Sequence, residues 1–303
     1  MLSNLSYWEK QHFFNADVII IGSGIVGLNA SITIKQQAPN LNVIVLERGF
    51  LPSGASTKNA GFACFGSVSE LIEQEESCGT DGLHNLISKR WTGLLKLRKL
   101  LGDKAIGFEC NGGFELFKPL EQKLAEQCVS KMSHFNELIA DIVVQKNVFT
   151  VANTTIKSFG FTDVNVLLKN KLEAQLNTGL MMRALITKAT SLGVHIYNRC
   201  QVNAILPENG GVSILTNEGN FSCKKVLVST NAFVNELLPE MNVVPGRGQV
   251  VVTSPIKNLK VKGTFHYDKG FYYFRNIDNR ILLGGGRNLD FKAEETTAFG
   301  ETD

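Results

Sequence analysis

The sequence predicts an α/β protein in which a Rossmann-like nucleotide-binding domain is interleaved with a second domain of antiparallel sheet and helices. Three observations predict it. An apolar run, DVIIIG, leads directly into the glycine turn GSGIVG; a second apolar run, NVIVLE, ends on an acid; and a long excursion follows before strands of the parallel type resume near residue 194.

Asp17 to Gly22 is apolar at successive positions and rich in β-branched residues, the pattern of a strand buried on both faces of a parallel sheet. A helical pattern runs from Ile25 to about Gln37, and Asn42 to Glu47 reads as a second buried strand. Strand, glycine turn, helix and strand in some thirty residues make one βαβ unit. The stretch GASTKNAGFACFG, Gly54 to Gly66, follows, and its residues are mostly glycine or small.

Ser67 with Glu70 three residues later predicts a capping box, and Asp81 predicts the cap of another helix running to Gly102. Short strands are expected at Ile106 to Glu109 and Gly113 to Lys118, and a helix from about Leu120 to Ala140. Phe149 to Lys171 carries no clean pattern. The nucleotide-domain pattern returns near Asn177: TGLMMRALITKATSLG is helical with Gly193 as C-cap, VHIY and CQVNAIL read as strands, and a hairpin turns at Asn217 to Gly219. KKVLVST resembles another buried strand. From Arg247, the runs VVVTSPI, GFYYF and RILLGGG alternate as strands of an antiparallel sheet. The nucleotide domain is therefore placed at 1–66 and 175–240, and the second domain at 67–174 and 241–303.

The chain of 303 residues, 44% hydrophobic and 19% charged, has enough apolar content for a large core shared by two domains. A net charge of +3 without a run of like charges leaves no electrostatic footprint for nucleic acid or an anionic membrane. The N-terminal residues lack a basic segment followed by an apolar one, and the longest apolar segment, Val18 to Leu28, is broken by three glycines, so no transmembrane segment is expected. The same absence of a leader and of a spanning segment gives the expectation of a cytoplasmic protein; six cysteines without a CxxC and five dispersed histidines predict reduced thiols, no metal site and no catalytic triad. His195, in GVHIY, reads as a core or edge residue, and Cys64 as a small buried thiol.

In Gly22-Ser23-Gly24-Ile25-Val26-Gly27 the first glycine permits a tight turn, the second lets backbone approach a pyrophosphate, and the third lets helix and strand pack closely. The helix N-terminus favours the negative charge. Glu47 follows Gly27 by twenty residues, where a carboxylate accepts hydrogen bonds from a ribose, and Arg48 stands beside it. An NAD domain continues to a third parallel strand soon after such an acid. Here a small-residue stretch and a long excursion intervene, which favours a flavin domain.

Taken together, DVIIIGSGIVGLNA, VLERG, GASTKNAG, KKVLVSTNAF and PGRGQ resemble the D-amino-acid oxidase type of FAD-dependent oxidoreductases, over nearly the whole chain. SYWE and the pairing of STNAF with LLP and RGQ are most similar to the gamma-glutamylputrescine and glycine oxidase-like branch. The resemblance implies an FAD-binding domain of the glutathione-reductase type, and a loop Gly54-Ala55-Ser56-Thr57-Lys58-Asn59-Ala60-Gly61 that wraps the FAD, where the family commonly has GASGRNGG. It further implies that Val202 offers its backbone to the adenine and that Thr230, Asn231 and Ala232 lie near the dinucleotide. A last glycine-rich βα element of the family has no counterpart before the chain stops at FGETD, so the expectation is a C-terminally truncated member.

The activity implied is oxidation of a C–H beside an amine, in an amino acid or amine. Hydride passes to the flavin, water hydrolyses the imine, and oxygen or another acceptor reoxidises the flavin. Substrate contacts are expected from Tyr272, Tyr273 and Arg275 in FYYFR and from Arg287 after LGGG, with Lys58 and Arg247 as further candidates. For any one of them, a strand residue facing solvent or core is the alternative. Two other readings of the chain stand beside this one: a truncated, non-catalytic nucleotide-binding fragment, and an NAD-dependent dehydrogenase.

Overall fold

The computed structural model describes residues 5–300, so residues 1–4 and 301–303 of the expected domain ranges lie outside the described residues. The chain divides into two compact units: Met1–Lys58 with Thr178–Arg247 and Glu295–Gly300, and Asn59–Asn177 with Gly248–Glu294 and Glu301–Asp303. The first boundary falls at Lys58 rather than 66, because Phe62–Ala63 pairs with Ala174–Gln175 and the Leu176 N–H donates to the Gly61 carbonyl. Those bonds tie the end of the small-residue stretch to the second unit. Residues up to Arg247 stay with the first, where the Asn235 amide brackets the Val243 backbone by donating to its carbonyl at 2.7 Å and accepting from its N–H at 2.9 Å.

The first unit is built on a six-stranded sheet in the order His195–Tyr197, Val43–Leu46, Asn15–Ile21, Gly219–Val228, Gly211–Thr216 and Val202–Glu208. The first four are mutually parallel and the last two antiparallel. All of Val43–Leu46 and the end of Asn15–Ile21 are buried, as their β-branched runs require. Ile19, Ile21, Ile44 and Leu46 join Ile214, Phe221 and Cys223 in one core, where each fully buried aliphatic side chain contributes about 1.5–3 kcal/mol. Helices Ile25–Gln37 and Thr178–Ser191 pack on each other. The expectation of a fully buried strand at KKVLVST is corrected: Gly219–Val228 alternates between buried and exposed residues, as a strand with one solvated face does. His195 is exposed on the edge strand.

The second unit carries a seven-stranded sheet in the order Gln249–Val252, Arg280–Gly285, Tyr272–Ile277, Thr264–Tyr267, Gly113–Phe117, Val166–Asn170 and Phe149–Val151. It is mixed rather than purely antiparallel, since Thr264–Tyr267 runs parallel to Gly113–Phe117. One face carries Phe114, Phe265 and Phe274, packed with Phe159, Phe161 and Leu167. The period of two turns Glu115, Thr264, His266, Tyr273 and Arg275 to the opposite face, which Val68–Leu101 and Gln122–Leu138 help to cover through Val68, Leu71 and Phe135 around Phe117 and Leu168.

Three local expectations are corrected. The capping box of Ser67 and Glu70 starts the helix Val68–Leu101, but that element breaks at Gly79 (φ 71°, ψ 170°), a conformation open to glycine, rather than at an Asp81 cap. Ile106 to Glu109 is no strand: Asp103–Ile106 is a helical turn, and Glu109 makes a single bridge to Gln175. The helix expected from Leu120 starts as the turn Pro119–Glu121 and continues as Gln122–Leu138, with a separate turn at Ala140–Val143. No helix among the described residues is long and apolar enough to cross a membrane.

Candidate functional site

The glycine turn, the acid and the small-residue stretch meet at one cleft of the first unit. Strand Asn15–Ile21 delivers Gly22 with φ +102°, and a Cβ there would lie 2.7 Å from the Ser229 carbonyl oxygen. At Gly27 a Cβ would lie 2.0 Å from the Gly22 carbonyl oxygen and 2.7 Å from Ser229 Oγ, so the third glycine sets how closely helix Ile25–Gln37 approaches the strand. Gly24 is the N-cap and brings no side-chain cap, which leaves helix N–H groups for an anion. One of them, Ile25 N, donates to Ser56 Oγ at 2.9 Å.

Gly22 and Gly24 line the cleft, whereas Ser23, Ile25, Val26 and Gly27 shape the turn without lining it. Glu47 lines it as well. Its Oε2 accepts from Ser23 N at 3.1 Å and Ser23 Oγ at 2.6 Å, and its Oε1 from Gly49 N at 2.8 Å. A carboxylate has about four acceptor positions, so capacity remains for a ribose hydroxyl. Arg48 lines the cleft but its guanidinium is committed, 3.3 Å from Glu236 and 3.8 Å from the Phe233 ring centroid.

Gly54, Ala55 and Ser56 line the same cleft. The stretch is not a bare loop throughout, because Ala55–Lys58 forms one helical turn. Lys58 does not reach the cleft: its Nζ donates to the Ser53 carbonyl at 2.8 Å and stands 5.0 Å from the Phe299 ring centroid. Asn59, Ala60 and Gly61 are absent from the lining and start the second unit, where Asn59 Oδ1 accepts from Gly61 N at 2.9 Å.

Val202, Thr230 and Asn231 complete the predicted residues at the cleft, and Ala232 does not line it. Thr230 Oγ1 is buried at the wall with no hydrogen-bond partner among the described residues. A buried hydroxyl without a partner costs roughly 1–3 kcal/mol, which a ligand at the wall relieves. Sequence reasoning missed Ser229, whose Oγ donates to the Ile21 carbonyl at 2.9 Å and the Gly22 carbonyl at 3.1 Å, and the apolar wall of Leu46, Phe233 and Leu237. The signal for Ser229 was its place at the end of KKVLVST. A helix N-terminus with glycine at its cap, a carboxylate and an orphan hydroxyl around an apolar wall fit the pyrophosphate, ribose and adenine of a dinucleotide.

In the second unit the four predicted substrate contacts are not brought together. Tyr272 and Tyr273 point to opposite faces of the sheet by the period of two. Tyr273 is half-buried, its ring lies over Gly284, where a Cβ would be 2.3 Å away, and Phe62 meets it edge-on at 5.6 Å. Burial pushes its phenol pKa up. Arg275 shares that face, but the expectation that it clamps a substrate carboxylate is corrected. It is buried, and its guanidinium donates to the carbonyls of Ala60, of Leu176 at 3.1 Å and of Asn276 at 3.3 Å. Arg287 is exposed in the turn Arg287–Leu289, 5.6 Å from the Phe291 ring centroid.

Dispersal along the sequence predicted no cluster of metal-ligating residues, yet the fold gathers Cys64, Glu173 and His266, with donor atoms all within 4.8 Å of one another. His266 Nε2 lies 2.6 Å from Glu173 Oε1. Burial by itself lowers the His266 pKa, but the Glu173 carboxylate, with Glu70 and Glu115, outweighs it and holds the imidazole up to about 9.

The family described as FAD dependent oxidoreductase (DAO) matches residues 17–302. The chain is 22% identical over 305 residues to the "Probable oxidoreductase OrdL" of Haemophilus influenzae, covering 89% of this chain and 64% of that protein. It is 27% identical over 238 residues to N-methyl-L-tryptophan oxidase of Yersinia pestis, covering 76% of this chain and 57% of that one. The chain thus spans less than two thirds of these relatives' length. Glycine oxidase from Geobacillus kaustophilus has a similar fold, with a TM-score of 0.67 at 19% identity over 90% of this chain and 73% of its own.

Proposed function

We propose, from the premise that this chain belongs to the family of FAD dependent oxidoreductases (DAO), that it binds FAD through the cleft of its first unit and oxidises a C–H beside the nitrogen of an amine or amino acid. The observation that carries this reading is the meeting, at one cleft, of a helix N-terminus whose cap residue Gly24 has no side chain, Glu47 and the Thr230 hydroxyl, which has no partner among the described residues. In it the N–H groups at the start of helix Ile25–Gln37 receive the pyrophosphate, Glu47 accepts from the ribose, and Val202, Thr230 and Asn231 edge the nucleotide. Bound FAD supplies the hydride acceptor.

The chain's own part is to orient the C–H, hold the amine neutral and exclude water. Tyr273, with Phe62 edge-on, is the proposed aromatic wall and hydroxyl, and exposed Arg287 replaces buried Arg275 as the proposed partner of a substrate carboxylate. An amino-acid or N-methylated amino-acid substrate is in keeping with the names of glycine oxidase and N-methyl-L-tryptophan oxidase, and the same names favour oxygen as acceptor. A cytoplasmic setting belongs to the same proposal and rests on the sequence. The family match disfavours the nicotinamide reading.

The test is anaerobic mixing of the flavin-loaded protein with a panel of amino acids and secondary amines while flavin absorbance is followed. Bleaching by one class identifies the substrate. A flavin-loaded protein that no amine bleaches contradicts the amine chemistry.

A further inference from the structure

We propose that Cys64, Glu173 and His266 form a site for one divalent cation of the zinc type, within the second unit and independent of the flavin reading. Each residue offers a different donor suited to such an ion: a thiolate, a carboxylate oxygen and an imidazole nitrogen. His266 projects from the middle of strand Thr264–Tyr267 and is 5% exposed; Glu173 is 1% exposed. Thr264 Oγ1 donates to Glu173 Oε1 at 2.7 Å, so the carboxylate is oriented by an outer hydrogen bond, as metal-ligating carboxylates are. The room for that carboxylate comes from Gly113, where a Cβ would lie 2.2 Å from Glu173 Cδ. Donors around one tetrahedral zinc stand roughly 3–4 Å apart, so closing from the present spread of 4.8 Å takes side-chain adjustment of about 1 Å.

Charge and access point the same way. Carboxylates of Glu173, Glu70 and Glu115 face the single imidazole, and Glu115 is further held by the hydroxyls of Ser67 and Ser69. Arg90, the nearby cation, is spent on the Phe65 carbonyl at 3.0 Å and Gln74 Oε1 at 3.3 Å. Cys64 lines a cleft with Glu70, Glu73, Gln74 and Arg90, and Glu73 is paired there with Lys269 at 2.9 Å. Binding of the ion displaces the Cys64 thiol proton, and any proton on the His266 imidazole, to solvent, and three protein donors leave one position for water.

The test is titration of the purified flavoprotein, after treatment with a chelator and its removal, with cobalt(II) and zinc(II) at about pH 8.5, where proton competition is weakest while the fold persists. Cobalt ligand-field bands are read at wavelengths beyond flavin absorption, and zinc binding by calorimetry. The proposal expects one equivalent of metal and at least tenfold weaker binding in both Cys64→Ser and His266→Gln. Absence of stoichiometric binding in the unaltered protein overturns it. So does binding that either variant leaves unchanged.

Discussion

Glu47 Oε2 accepts from both donors of Ser23, the backbone N–H at 3.1 Å and the hydroxyl at 2.6 Å. The carboxylate following one parallel strand thereby fixes the glycine turn that follows its neighbour, while facing the cleft. Removing it leaves the Ser23 donors, on a residue 1% exposed, without their acceptor. Glu47→Ala is expected to lower stability by about 1–3 kcal/mol and to weaken FAD binding at least tenfold. Thermal unfolding and a flavin-fluorescence titration check the two effects separately, and FAD affinity equal to the unaltered protein would remove Glu47 from the site.

Gly27 and Gly93 make opposite predictions for the same substitution. Gly27→Ala places a methyl group 2.0 Å from the Gly22 carbonyl oxygen, which forces helix and strand apart at a cost of about 1–3 kcal/mol or more. Gly93→Ala lies inside helix Val68–Leu101, meets nothing within 4 Å, and is expected to stabilise by about 0.5–1 kcal/mol. Chemical denaturation of both variants tests the packing argument by the difference in sign.

Arg275 holds the Ala60 and Leu176 carbonyls, so Arg275→Met strands buried acceptors and is expected to cost about 1–3 kcal/mol. Arg275→Lys recovers only part of that, since a lysine lacks the planar fork that reaches both carbonyls. Denaturation midpoints order the three proteins. A methionine variant as stable as the original would return Arg275 to the list of substrate contacts.

The pair of His266 and Glu173 gives a pH dependence with a definite sign. The folded imidazole titrates at about 9, above the ordinary value near 6.5, so its contribution to stability is fully present below pH 6.5 and is lost as pH rises through 9. Metal-free protein is expected to lose stability over that window, and His266→Gln to flatten the loss. A stability unchanged between these limits in the unaltered protein contradicts the ion pair.

The nucleotide half of the fold was legible because its signals are local. Strand Asn15–Ile21, helix Ile25–Gln37 and strand Val43–Leu46 follow from contiguous β-branched runs and three glycines, and Glu47 from its spacing. The second unit was legible only in part. Tyr272 and Tyr273 are adjacent in FYYFR, and alternation separates them to opposite faces; the fate of Arg275 depends on carbonyls at Ala60 and Leu176, far away in the chain. Glu173 has no local mark at all. It becomes a partner of His266 and Cys64 only through the pairing of Phe62–Ala63 with Ala174–Gln175 and the room left by Gly113. Lys58 stands where the resembling loop commonly has arginine, and its bond to the Ser53 carbonyl is a local turn contact that the pattern of small residues does not mark.

The most direct test of the central claim is the visible absorption spectrum of the purified protein, before and after incubation with FAD and removal of the excess. The cleft with Glu47 and Thr230 predicts oxidised-flavin bands at one FAD per chain, lost in Glu47→Ala. A folded protein that stays colourless after FAD is offered contradicts it.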